Sequence, residues 1–167
     1  LYREKNYYHG TRHARGQRTA RENINDLIDP ESFMEFGQLV YAAQRRKIDK
    51  ATLMRTSPAD GIIAGFASIN SEHFSEGLNQ VAVLSYDAMV MAGTQGLLGH
   101  KKTDRFLDVA SKRRGVNHQQ APLIFFAEGG GGRPNDDDFA DIMGACLDCK
   151  TFYTFGQYSG LKITIND

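Results

Sequence analysis

Apolar and polar positions repeat with two periods along this chain, and the changes of period mark its elements. In 19–30, TARENINDLIDP, Ile24, Leu27 and Ile28 form one stripe at helical spacing. Thr19 with Glu22 three residues on reads as a capping box, and Asp29-Pro30 stops the helix. The loose alternation of ESFMEFGQLVYA predicts a short strand, and 44–58 reads as a loop excursion. GIIAGFASI (61–69) and QVAVLSYDAM (80–89) are bounded by turn formers and predict two strands, paired as a hairpin through 70–79. Gly93 and Gly96 bracket Thr94, the expected cap of a helix from about Gly96 to Arg114. Leu98, Phe106, Val109 and Ala110 fall near one face of it, and Lys112, Arg113 and Arg114 suit its C-terminal dipole. PLIFFA (122–127) is continuously apolar, as in a strand covered on both faces. Phe139, Ile142, Met143, Cys146 and Leu147 then predict an amphipathic helix, and LKITI predicts a last strand. The order implies an α/β layer fold with a largely parallel sheet.

Composition narrows the class. The 167 residues suffice for one domain, with 41% hydrophobic and 24% charged residues. No apolar run approaches the roughly 20 residues of a membrane span, and the polar, basic stretch at 1–21 does not read as a signal peptide. The chain begins with Leu1, which predicts a start further upstream. Net charge is zero, from 20 basic and 20 acidic residues, which argues against general nucleic-acid binding. Residues 1–21 nonetheless carry Arg3, Lys5, Arg12, Arg15, Arg18 and Arg21 against the acid Glu4, read either as a solvated arm or as a local anion site. Cys146 and Cys149 form a lone C-x-x-C within a helical pattern, which reads as ordinary helix residues rather than a zinc or redox pair. Nothing demands an oxidising compartment, so a cytoplasmic location is expected.

The stretch EGGGGRPNDDD, 128–138, joins the apolar strand to the next helix. Ligands of open α/β sheets sit at the carboxyl ends of strands, and consecutive glycines let backbone N–H groups converge on a phosphate or an oxyanion. Asp136, Asp137 and Asp138 at the expected helix start argue against phosphate. No Lys follows the glycines, and Arg133-Pro134 separates them from the helix, so neither common nucleotide fingerprint is met. A plain flexible turn remains the other reading. His9, His13, His73, His100 and His118 make no metal-ligand spacing, so no metal site is expected. Ser85 and Ser111 lack a nucleophile context, and no side chain reads as a general base.

Five segments in order resemble the carboxyltransferase component of biotin-dependent acyl-CoA carboxylases, the propionyl-CoA and acetyl-CoA carboxylase family. They are TARENINDLIDPESFMEFG, ADGIIAGFASIN, VAVLSYDAMVMAGTQG, GHKKTDRFLDVA and PLIFFAEGGGGRP, over about residues 16–163. The resemblance implies an α/β, crotonase-like ββα superhelix (the ClpP/crotonase fold), present as an incomplete N-terminal half. A basic arm (1–18) would precede a partial carboxyltransferase domain (19–167). It further implies transfer of a carboxyl group from carboxybiotin, on a carrier domain, to the α-carbon of an acyl-CoA. Gly130 and Gly131 match the family's oxyanion pair, Gly129 and Gly132 flank it, and Ala92, Gly93 and Thr94 match a Gly-Gly-Ser turn near the CoA. The biotin ring would act as base. Implied partners are biotin carboxylase and biotin carrier domains or subunits, in a homo-oligomer whose active sites cross subunits, with no nucleic acid or membrane. Family Asp-Ser is replaced by Ala127-Glu128, the family alanine by Gly131, and the arginine falls one place later, at Arg133. The EGGGGRP form resembles a branch in which carboxylase, carrier and carboxyltransferase share one chain. The chain alone is expected not to turn over. Two other readings stay open: a non-catalytic CoA-binding or assembly module, and an acyl-CoA decarboxylase or hydratase of the same fold, for which Glu128 is the nearby carboxylate.

Overall fold

The computed structural model describes residues 12–75, 77–113, 119–133, 136 and 150–166. Its centre is a five-stranded sheet in the order β1 (Met34–Phe36), β2 (Ile62–Ser68), β3 (Gln80–Tyr86), β4 (Leu123–Phe126), β5 (Lys162–Ile165). The β1/β2 and β2/β3 pairs are antiparallel and the β3/β4 and β4/β5 pairs parallel. The sheet is thus evenly mixed rather than largely parallel, because β2 runs antiparallel to both of its neighbours, β1 and β3.

Period-two alternation sorts the strands into two cores. Ile62, Ala64, Phe66, Ala82, Leu84, Tyr86 and Leu123 meet Phe106, Leu107 and Ala110 of helix α3 (Leu97–Lys112) and Tyr158, just past α4 (Thr151–Gln157). Ile63, Ala67, Val81, Val83 and Ile124 face Ala20 and Ile24 of α1 (Ala20–Leu27). Both faces of β2, β3 and the start of β4 are therefore covered, which explains their unbroken apolar runs. The β3–α3–β4 crossover brings the carboxyl ends of β3 and β4 side by side, and each leads into a glycine-containing turn.

Helix α1 starts as its sequence demands. Thr19 Oγ1 accepts from Glu22 N–H at 3.2 Å and Glu22 Oε2 accepts from Thr19 N–H at 2.7 Å. The bonds from Thr19 and His13 hold the Glu22 carboxyl down at about 2. The 44–58 stretch is not all loop: α2 (Lys50–Thr56) forms within it, started by Asp49, whose side chain accepts from Thr52 N–H at 3.0 Å. The cap of α3 is Gly96, not Thr94, whose hydroxyl donates to Met91 O at 2.7 Å. Where it is described, the basic arm has three of its arginines in ion pairs. Arg12 pairs with Glu128, Arg18 with Asp26 and Arg21 with Glu35. The expected helix over 139–147, with Cys146 and Cys149, lies outside the described residues. No helix among the described residues is long and apolar enough to cross a membrane.

Candidate functional site

The glycine loop after β4 is zipped onto the turn after β3. Gly130 N–H donates to Gly93 O at 2.9 Å, Gln95 N–H to Gly131 O at 2.8 Å, and Arg133 N–H to Gln95 O at 2.8 Å. Gln95 and Gly132 form an isolated parallel bridge. In such a bridge the N–H and C=O of Gly132 point away from Gln95. The glycines have separate reasons to be there. A Cβ on Gly129 would lie 2.7 Å from the Tyr86 ring, and one on Gly130 would collide with the Ala92 carbonyl oxygen. Gly131 has φ +82°, and free space surrounds it and Gly132. Both residues are exposed, and among the described residues their N–H groups have no partner.

Beneath the zip lies a buried ionic node. The Arg133 side chain is 3% exposed and pairs with Asp60, which is fully buried. The same guanidinium donates to Thr94 O at 2.7 Å and to Thr94 Oγ1 at 3.3 Å, and Asp136 lies 3.7 Å away. The two carboxylates also start α3: Asp136 Oδ2 accepts from Leu97 N–H at 2.7 Å and Asp60 Oδ2 from Gly99 N–H at 2.6 Å. These replace the local cap that Gly96 cannot supply. Asp136 therefore serves the start of a helix 39 residues earlier in the chain. Burial pushes the Asp60 carboxyl above its ordinary value, against the opposing pull of Arg133. Lys102, 4% exposed, donates to the carbonyls of Ala59 and Ile62 on either side of Asp60.

The loop also borders a cleft of about 310 Å³ at the carboxyl ends of β3, β4 and β5, lined in part by Tyr86, Ala127, Glu128 and Asn166. Glu128 is held by Arg12 through both carboxylate oxygens, at 2.7 and 2.8 Å. A carboxylate so engaged is not free to serve as a base.

The profile of the carboxyl transferase domain matches residues 11–146. The chain belongs to that family. It is 32% identical over 124 residues to the methylmalonyl-CoA carboxyltransferase 12S subunit of Propionibacterium freudenreichii subsp. shermanii, covering 72% of this chain and 20% of that protein. It is 29% identical over 121 residues to the propionyl-CoA carboxylase beta chain of Saccharopolyspora erythraea, covering 72% and 19%. Among solved structures, a single-chain, multi-domain long-chain acyl-CoA carboxylase superimposes with a TM-score of 0.85 at 40% identity, over 99% of this chain and 16% of that one. The transcarboxylase 12S structure with hydrolysed methylmalonyl-CoA bound gives 0.68 at 26% identity, over 96% and 28%. The chain thus spans about a fifth of the curated relatives it matches. Its fold is that of the crotonase-like carboxyltransferases, in part.

All seven residues singled out by resemblance to this family meet at one junction. Ala92, Gly93 and Thr94 form one side, and Gly129, Gly130, Gly131 and Gly132 the other. Gly130, however, turns its N–H onto Gly93, whereas the N–H groups of Gly131 and Gly132 make no such bond among the described residues. Sequence reading missed Asp60, Gln95 and the role of Asp136. The turn-forming run SPADG around Asp60 was the available signal, and nothing local ties it to Arg133, 73 residues away.

Proposed function

We propose that this chain forms part of a biotin-dependent acyl-CoA carboxyltransferase, and that its glycine loop holds the thioester oxygen during carboxyl transfer. The observation that carries this is that Gly131 and Gly132 are exposed at the carboxyl end of a buried strand and that, among the described residues, their N–H groups have no partner. Two neutral donors suit an oxygen that gains charge as the α-carbon loses its proton. Their neighbouring carboxylate, Glu128, is neutralised by Arg12, so it neither repels that charge nor takes the proton. When bound, carboxybiotin supplies the activated carboxyl group. This chain's part is to bind the thioester, orient its carbonyl and stabilise the enolate-like state.

The reading includes a carrier and a biotin carboxylase as partners and a homo-oligomer with shared sites. Likeness to a single-chain, multi-domain carboxylase supports the form in which these activities share one polypeptide. Residues 1–167 by themselves are expected not to turn over. The engaged state of Glu128 disfavours a hydratase, which needs a carboxylate free to reach the acyl carbons.

The test is Gly131→Val in the full-length protein. A branched side chain cannot hold φ +82° without moving the backbone. Carboxyl transfer to acetyl-, propionyl- or a longer acyl-CoA should fall about 100-fold or more, with calorimetric affinity for the acyl-CoA retained. Binding without transfer in the unmodified protein would point instead to a non-catalytic CoA-binding module. Loss of CO2 from a malonyl-type thioester without biotin would point to a decarboxylase.

A further inference from the structure

We propose that Asp60 is a positioning residue for carboxyl transfer, acting through Arg133 on the backbone donors of Gly131 and Gly132. This rests on the reading of the glycine loop as the oxyanion site. Three observations carry it. First, Asp60 sits inside a left-handed turn, with φ +56° at Ala59, +49° at Asp60 and +72° at Gly61. Two of these are not glycine, and such outliers persist only where surrounding contacts fix them. Second, the contacts that fix it converge from three segments: helix α3, the turn after β3 and the end of the glycine loop. Lys102 holds the Ala59 and Ile62 carbonyls, Asp87 N–H donates to Gly61 O at 2.9 Å, Gly99 N–H donates to the Asp60 carboxylate, and Arg133 pairs with it. Third, Arg133 is the residue next to Gly132, and its backbone N–H and its side chain are both tied to 94–95. Its guanidinium therefore sets the height and pitch of the 131–132 segment over the β3 turn, and Asp60 sets the guanidinium.

Stability alone does not explain the arrangement. A buried ion pair is commonly no better than a well-packed apolar pair of the same size, and a strained backbone adds to the penalty. The pair does something an apolar pair cannot: the planar guanidinium fixes direction at several acceptors at once. A small displacement of an oxyanion donor is enough to matter, since misplacement by about 1 Å can lower a rate on the order of 100-fold.

The experiment uses the full-length protein with Asp60→Asn, which keeps the shape and the acceptor for Gly99 N–H but removes the charge from Arg133. The expected result is a fall in kcat for carboxyl transfer of about 10- to 100-fold, with KM for acyl-CoA and its calorimetric Kd within about threefold, since remote binding contacts are untouched. Arg133→Lys, which keeps charge but not the planar fork, should give the same split and carries the test should Asp60→Asn fail to fold. An unchanged kcat in the folded variant, or a KM that rises in step while kcat holds, overturns the proposal. Gly131→Val is run beside them. If it abolishes transfer while Asp60→Asn and Arg133→Lys do not, the oxyanion reading stands and the positioning role of Asp60 falls. If Gly131→Val transfers carboxyl groups normally, both fall.

Discussion

Two stretches of this chain run three consecutive residues through the left-handed region. At 59–61 the φ values are +56°, +49° and +72°, and at 91–93 they are +47°, +55° and +71°. Each ends in glycine, and they lie close together: the side chain of Val90, just before the second, packs where a Cβ on Gly61 would come to 3.3 Å. Their surroundings differ. The first is wholly buried and held at its carboxylate and flanking carbonyls by Arg133, Gly99 and Lys102. The second has Ala92 exposed and is held by short-range bonds, Gly93 N–H to Val90 O and Thr94 N–H to Met91 O, and by the contact with Gly130. Non-glycine residues in this region cost on the order of 1–3 kcal/mol each. In the first turn the charge network offsets that strain and makes the turn a rigid foundation. In the second the strained backbone is itself the lip of the proposed site, facing the glycine loop.

The largest effect should come from breaking the contact between the second turn and the loop. Gly130→Ala drives a methyl group into the Ala92 carbonyl, so carboxyl transfer by the full-length protein should fall more than about 100-fold. Gly132→Ala, in open space, should change it far less.

Breaking the foundation comes next. Arg133→Met leaves Asp60 buried without its cation, and thermal denaturation should show a loss of about 3–5 kcal/mol. Asp60→Asn added to Arg133→Met should recover part of that loss, because no uncompensated charge then remains.

Lys102 offers a pH handle on the same turn. Burial lowers its pKa from 10.5 to about 8, against the pull of Glu35 and Asp60. Between those values the unfolded chain binds more protons than the folded one, so stability rises with pH across that window. The rise from this group alone is roughly 3 kcal/mol, and it is absent below the window. Lys102→Met should flatten the dependence, measured as denaturant midpoints from pH 7.5 to 10.5.

The smallest effects separate the two turns by substitution. Ala92→Gly should raise stability by about 1 kcal/mol by relieving a left-handed alanine. Ala59→Gly should gain less, because that alanine is 1% exposed and its burial is lost. Thr19→Ala, remote from both, should cost about 1 kcal/mol through the capping box, which makes it a control for general destabilisation.

What could be read in the sequence follows the range of the interactions. The α1 capping box links residues three apart and was legible, as were the β2–β3 hairpin and the apolar β4 strand, because their signals are local. Helix α2 escaped notice because it has seven residues and buries only Leu53. Helix α4, TFYTFGQ, is aromatic-rich and buries only Thr151, so it carries no helical stripe. Residues 92–94 and 129–132 were each singled out through family resemblance, but their contact was not read, since no local pattern pairs segments so far apart. The Asp60–Arg133 node and the use of Asp136 at the start of α3 are long-range charge contacts, and one sequence contains no signal for them. That Gly130 of the expected Gly130–Gly131 pair spends its N–H on Gly93 depends on which way a single peptide plane faces, which no sequence pattern shows.

The most direct test of the central claim reads the thioester itself. The carbonyl stretch of a ¹³C-labelled acyl-CoA, measured by difference infrared spectroscopy, should shift to lower frequency on binding the full-length protein. That shift should be largely lost in Gly131→Val while binding persists. A stretch that stays at its solution value in the bound complex, or an equal shift in the valine variant, would contradict the claim that the glycine loop holds the thioester oxygen.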